Sequence, residues 1–462
     1  MRKQRMNGVM VACGLMLLAS VARAGKADAE KKAQEKVAGD LAVPEGEQEL
    51  RLRVKETTTL LTAPGRYFGR ASLQILDNGV WIMTYIHSDH HWACHDGQIG
   101  VMLSKDEGRT WLPPNTFTDG NPVKGLPSAP SPIESPYDPI EPYIYLAPNG
   151  VLLIAAWDFD FKARKSNGRF FARSKDNGKT WSAWERIQYS LPPPLRGSDM
   201  TQQCLVKDGI MYASSRSGLN GKSSPSLFKS ADNGATWEFV SAIGRQGDAY
   251  YMSRDSEAGI ELVGPNEMVA ILRHGMWPAP THMTRSHDMG KTWTKPKDIS
   301  GSTQFWKRPR IYTLKHMRHM SGAENIPEWW NDRTLIGTGP HQVRKGTRNV
   351  GLWHSRDKGE TWSAPFHCDK DTQDAGYGDI RMRKNGELVV VSYHGRHDAA
   401  DIKQYVVGID FVEKAPPGAP VKRPNADAVL KDGAAAYWRF EDDTGTAAPR
   451  TRRVISTGHP VH

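Results

Sequence analysis

The chain has 462 residues, 38% of them hydrophobic, with 43 Gly, 30 Pro, four Cys and a formal charge of +10. That length holds one large domain or two or three ordinary ones, and the composition excludes both a disordered chain and a disulfide scaffold. The basic residues are dispersed and no nucleic-acid-binding motif occurs, so nucleic acid is excluded as a partner; the charge fits an acidic ligand as readily as a plain basic surface.

Residues 1–24 read as an export signal. Arg2, Lys3 and Arg5 precede an apolar run from Gly8 to Val21, and Ala22-Arg23-Ala24 offers small residues for cleavage. The run is too short to span a bilayer, and no other stretch is apolar enough to do so. A secreted or periplasmic protein is expected, and loss of Arg2, Lys3, Arg5 and Arg23 leaves a charge of about +6. Of the four Cys, Cys13 leaves with the signal. Cys94, Cys204 and Cys368 have no metal-ligand spacing and read as buried thiols, with a single disulfide as the alternative. Residues 25–47 are polar and read as a flexible leader. Residues 49–60 then alternate as a strand does, and are expected to close a ring against the last sheet.

Beyond that strand one phrase, S-x-D-x-G-x-T-W, occurs five times, at Ser104–Trp111, Ser174–Trp181, Ser230–Trp237, Ser286–Trp293 and Ser355–Trp362. The copies lie 56–70 residues apart, a period that suits one antiparallel sheet each. Asp binds neighbouring amides in a tight turn, Gly takes the positive φ, and Thr-Trp resumes a strand whose Trp packs between sheets. These Asp residues are therefore structural rather than catalytic. Before most copies stands a hairpin with an Asn-Gly or Asp-Gly turn, as at Asn78-Gly79, Asn149-Gly150, Asp208-Gly209 and Asn385-Gly386. The segment from Arg308 lacks a clean turn and carries an insertion, and residues 112–140 read as a Pro- and Ser-rich surface loop.

The fivefold phrase is the Asp-box, and the chain resembles the sialidase (neuraminidase) superfamily of BNR-repeat proteins, bacterial exo-α-sialidases among them. The resemblance covers about residues 60–412. It implies an all-β fold, a six-bladed β-propeller of four-stranded blades over residues 48–412, the sixth lacking its box. A linker follows at 413–431. Residues 432–462 contain Gly433-Ala-Ala-Ala-Tyr-Trp-Arg-Phe, which resembles the first strand of a laminin-G or concanavalin-like jelly roll, and are read as a partial module or a disordered tail.

In a propeller the ligand lies where the innermost strands begin, which selects Arg66, Arg70, Glu141, Glu257, Arg308, Arg310 and Tyr377. Inward charges at these points are costly unless they pair or bind a ligand. The resemblance implies three Arg that hold a substrate carboxylate, matched by Arg70, Arg273 and Arg348; in the first blade Arg66 is the alternative to Arg70. It implies a neutral Tyr nucleophile, which a substrate carboxylate does not repel, and Asp374-Ala-Gly-Tyr377 matches that segment. Glu257, sixteen residues before Arg273 across one hairpin, matches the Glu that takes the Tyr proton. The acid/base Asp is expected in the loop His87-Ser-Asp89-His-His-Trp-Ala-Cys-His-Asp96, where Asp96 and Asp89 are both candidates. The four His of that loop lack regular ligand spacing, so no metal and no cofactor is expected. The implied function is a secreted, monomeric, retaining exo-α-sialidase acting on sialylated or other acidic glycans. The alternatives are a propeller hydrolase or lyase acting on uronic-acid polysaccharide, or a glycan-binding propeller without activity.

Overall fold

The computed structural model describes residues 48–91, 97–113, 139–160, 165–195, 203–219, 222–244, 257–273 and 280–413. The expected signal, leader, linker and jelly-roll-like segment lie outside these residues, as do Cys94 and Asp96. The chain divides into a unit that holds residues 50–411 and a second that holds 43–49 and 412–462; of the latter only 48–49 and 412–413 are described. Cys204 and Cys368 are free thiols.

Alternation of apolar and polar residues, broken by Asn-Gly and Asp-Gly turns, produces antiparallel hairpins along the whole first unit. The described strands form one eight-stranded sheet, one five-stranded sheet and three four-stranded sheets. Each shares an apolar cluster with the next. Ile82 and Leu103 pack with Ile144 and Ile154; Phe171 packs with Phe228 and Trp237; Leu227 packs with Ile260 and Leu272. Ile271 and Met283 then pack with Trp306 and Trp353, and Leu352 with Ile380 and Val390 of the eight-stranded sheet, which closes the ring. This face-to-face ring is propeller-like, and it buries both surfaces of the sheets while leaving few long edges.

The six-bladed expectation is corrected. Four sheets have blade size, and the segments expected as the first and sixth blades are one continuous eight-stranded sheet. The joint is a parallel pairing of Tyr67 with Ala400, where Ala400 N donates to Arg66 O at 3.2 Å. The strand Gln48–Leu61 pairs with Ala400–Glu413 in the same sheet. Repeats along a chain count turns; whether two neighbouring sheets fuse depends on backbone bonds between residues more than 300 positions apart.

The five S-x-D-x-G-x-T-W phrases are turns of one geometry. In the first, Ser104 Oγ donates to Asp106 Oδ1 at 2.8 Å, Thr110 N donates to the same oxygen at 2.8 Å, and Thr110 Oγ1 donates to Oδ2 at 2.6 Å. Gly108 N closes the turn on Ser104 Oγ at 2.9 Å. The same set recurs around Asp176, Asp232, Asp288 and Asp357. The residue before each Gly also has a positive φ, between 57° and 61°, so the turn uses two left-handed residues in succession. A Cβ on Gly290 would lie 2.1 Å from Leu227 Cδ2 of the preceding sheet, so this turn packs closely on its neighbour, and its φ of 78° favours glycine.

The insertion after the strand Arg310–Thr313 is helical. It holds a helix Leu314–Ser321, capped by Thr313 Oγ1 and ended by Gly322 at φ 68°, and a 3-10 turn Glu328–Trp330 that buries Trp330. Among the described residues no helix is long and apolar enough to cross a membrane.

Candidate functional site

Two layers of charge fill the space between the inner strands. The deeper layer centres on Asp379, which is fully buried. It accepts hydrogen bonds from Leu73 N at 2.9 Å, Tyr312 Oη at 2.7 Å and Arg381 Nη1 at 2.8 Å, and it pairs with Arg310. Burial alone would raise the Asp379 carboxyl, but Arg310 and Arg381 hold it below the ordinary value. This layer ties the eight-stranded sheet to its neighbour, so Arg310 is structural.

The upper layer contains the predicted site. Arg70 and Glu141 both enter it from the start of an inner strand, and both have left-handed φ, 56° and 59°. Each lies at a register shift, between Gly69 and Ser72 and between Ile140 and Tyr143. A bulge with a left-handed residue re-aims one side chain, which is why both charges point at their neighbours and not into a sheet face. Arg308, at φ 43°, is the third such residue. The three converge: Glu141 lies 3.4 Å from Arg70 Nη1, 2.9 Å from Arg308 Nη2 and 3.3 Å from Arg169 Nη2. Burial would raise the Glu141 carboxyl, yet Arg308, Arg70 and Arg169 together hold it well below the usual glutamate range.

Glu257 and Arg273 face one another across the hairpin formed by Ala258–Leu262 and Met268–Arg273. Arg273 Nη1 donates to Glu257 Oε2 at 2.9 Å, and Arg308 Nε lies 3.9 Å from Oε1. Burial works to raise Glu257, and Arg273 with Arg308 overcomes it and keeps the group ionised.

Tyr377 is buried between Gly376 and Gly378. Gly376 has φ 103° and a Cβ there would lie 2.5 Å from Pro340 Cα; one on Gly378 would lie 2.0 Å from Val391 O. Only glycine fits on either side, and this presses the Tyr377 ring against two cations. The Arg308 guanidinium lies 4.8 Å from the ring centroid and that of Arg348 lies 5.9 Å away. No hydrogen bond links Tyr377 to Glu257; Arg308 stands between them.

The third carboxylate, Asp374, was singled out by no sequence argument. It is fully buried and accepts from Arg348 Nη1 at 2.6 Å and Tyr393 Oη at 3.0 Å, both on Oδ1. Its Oδ2 lies 3.0 Å from His397 Nδ1 and also contacts His91 Nδ1. Tyr67 Oη lies 2.8 Å from His91 Nδ1. Burial lowers His91 to about 3 despite the opposing pull of Asp374, so its imidazole is neutral at ordinary pH.

Of the predicted residues, Arg70, Glu257, Arg273, Arg348 and Tyr377 thus share one layer, joined by Arg308 and Glu141. Asp89 lies in the bend after the strand Trp81–Ser88, two residues before His91. Arg66 donates to His87 Nε2 at 2.9 Å. His91, His397, Arg169, Tyr67 and Tyr393 were not selected; the density of His at 87–95 was the single signal available for any of them. Among the described residues, five guanidinium groups (Arg70, Arg169, Arg273, Arg308, Arg348) gather with three carboxylates (Glu141, Glu257, Asp374).

Residues 140–390 match the family described as BNR repeat-like domain. A sialidase of Bacteroides fragilis is 23% identical over 291 residues, 58% of this chain and 48% of that protein. The chain spans less than half the length of the curated relatives it matches. A protein of unknown function from Dyadobacter fermentans is similar in structure, with TM-score 0.58, 16% identity and coverage of 78% of this chain and 99% of that one. The intramolecular trans-sialidase of Ruminococcus gnavus is also similar, with TM-score 0.54, 14% identity and coverage of 76% and 96%. At such identities the likeness in structure is one of fold.

Proposed function

The chain belongs to the BNR repeat-like domain family, and from that premise we propose that it is a carbohydrate-active enzyme, a glycoside hydrolase that releases a terminal acidic sugar of the sialic acid class from glycans. The observation that carries this reading is the convergence of Arg308 and Arg348 on the Tyr377 ring, in one cluster with Arg70 and Arg273. A guanidinium fork matches a carboxylate, so such a cluster suits an acidic sugar.

Tyr377 is the proposed nucleophile. A neutral phenol approaches an anomeric centre that bears a carboxylate without repulsion, and Arg308 and Arg348 lie against its ring. Arg70, Arg273 and Arg348 are proposed to hold the substrate carboxylate. As that carboxylate draws Arg273 and Arg308 toward it, Glu257 is freed to take the Tyr377 proton. Attack forms a glycosyl–tyrosine bond and expels the leaving alcohol, protonated by the carboxylic acid of Asp89 or Asp96. Water, deprotonated by the same carboxylate, then attacks that carbon from the face the alcohol left and breaks the glycosyl–tyrosine bond, Glu257 returning the proton to Tyr377, so two inversions retain the configuration. Export to the periplasm or outside the cell would place the enzyme with its glycans.

A second reading is favoured by the His91–Asp374 pair, whose imidazole lies 5.9 Å from the Tyr377 ring, centroid to centroid. An imidazole held by a carboxylate beside a phenol suits proton abstraction from a uronic acid. The deciding measurement is turnover of a fluorogenic α-sialoside by the purified protein, with Tyr377→Phe in parallel. Activity that falls about a hundredfold or more in the variant, with its melting temperature kept, supports the first reading. Silence on sialosides with release of unsaturated uronate from an acidic polysaccharide supports the second. Persistent binding of acidic glycan without turnover would leave a non-catalytic receptor.

A further inference from the structure

We propose that His91, Asp374 and His397 form a binding site for one divalent transition-metal ion of the zinc class. The three residues come from three places in the chain, the His-rich loop, the nucleophile segment and the turn after the strand Leu388–Gly395, so no local spacing announces them. One ligand atom of each lies within 4.8 Å of the others. Two imidazoles and one carboxylate are a donor set that suits zinc and its neighbours, and three protein donors leave coordination positions open.

The details of Asp374 support a site rather than a chance cluster. Its Oδ1 is held by Arg348 at 2.6 Å and by Tyr393 Oη at 3.0 Å. That leaves Oδ2 aimed at both imidazoles. Hydrogen bonds to one carboxylate oxygen are how metal sites orient the other. The two His rings meet edge to face, at 5.4 Å and 85°, and each places its Nδ1 against the same carboxylate oxygen. Backbone fixes the two segments to each other, since His91 N donates to His397 O at 2.7 Å. Tyr67, Tyr377 and Tyr393 wall the buried side, and the His397 side chain, 32% exposed, opens the other. Arg348 and Arg70 oppose a cation here and weaken its binding without removing the donors.

The competing account is a plain hydrogen-bonded network in which both imidazoles donate to Oδ2. The inference is independent of which glycan is bound, because its readout is the ion and not turnover. The test is a calorimetric titration of Zn²⁺ into tag-free, EDTA-stripped, full-length protein, together with His397→Ala and, as a control, His316→Ala. The control removes the imidazole of a different pair, with His316 Nδ1 3.0 Å from Glu261 Oε2. The expected result is one Zn²⁺ per chain, affinity lower by about tenfold or more in His397→Ala, and no change in His316→Ala. Should His397→Ala fail to fold, His397→Gln keeps a donor toward Asp374 while losing the imidazole, and must show the same loss. No binding, or equal affinity in the parent and the His397 variants, overturns the proposal in favour of the hydrogen-bonded network.

Discussion

Replacing Glu141 with Gln removes the one negative charge shared by Arg70, Arg169 and Arg308, which lie 3.4, 3.3 and 2.9 Å from it. The carboxylate and all three guanidinium groups are buried, so bulk water does not take its place. Removing one partner of a buried ion pair costs about 3–5 kcal/mol, because the remaining charge is left uncompensated. At about 2 °C per kcal/mol for a domain of this size, the melting temperature should fall by about 6–10 °C. Asp410→Asn provides the contrast. It breaks a pair with Arg53 at 3.4 Å in which both side chains are about half exposed or more, at 49% and 64%, and should cost under about 1 kcal/mol. The assay is urea unfolding of both variants between neutral and acid pH. The Glu141 carboxyl is held below its ordinary range, so its contribution is complete above the unfolded glutamate value and disappears as the pH falls toward the folded one. The gap between parent and Glu141→Gln must therefore narrow on acidification. A loss below about 1 kcal/mol at neutral pH, or a gap that does not change with pH, would refute the charge argument.

Three further outcomes are expected. Gly376→Ala places a methyl group 2.5 Å from Pro340 Cα at a φ of 103°; turnover should fall together with a stability loss of about 1–3 kcal/mol, checked by kinetics and thermal melting of the same sample. Asp232→Ala removes the bonds from Ser230 Oγ and from Thr236 N and Oγ1; it should cost about 1–3 kcal/mol and leave activity per folded molecule unchanged, as measured by active-site-normalised rates. Arg348→Lys keeps the charge but loses the fork, so KM for an acidic substrate should rise about tenfold or more while an uncharged competitor is bound no differently.

Local order was legible in the residues themselves. The five S-x-D-x-G-x-T-W phrases give turns because Ser, Asp, Gly and Thr satisfy one another within a few positions, with no help from the rest of the chain. The Glu257–Arg273 pair was legible for a similar reason: a hairpin of that length returns its last residue to its first. Tyr377 could be singled out by its place before an apolar strand, although its two glycine neighbours owe their necessity to Pro340 and Val391, which belong to other strands.

What the residues could not convey was anything carried by bonds between distant segments. The pairing of Tyr67 with Ala400 fuses two expected blades into one sheet, and neither residue has a property that announces it. Arg70, Glu141 and Arg308 reach each other through left-handed residues, two of them at bulges, and a register shift of this kind follows from how whole strands seat against neighbours. Asp374 looked like an ordinary loop residue because its chemistry lies entirely in His91, Arg348, Tyr393 and His397, gathered from three other places in the chain. Turn chemistry acts over four or five residues and can be read along the chain; charge compensation in a buried site acts through space, and only the closed ring of sheets decides which charges meet.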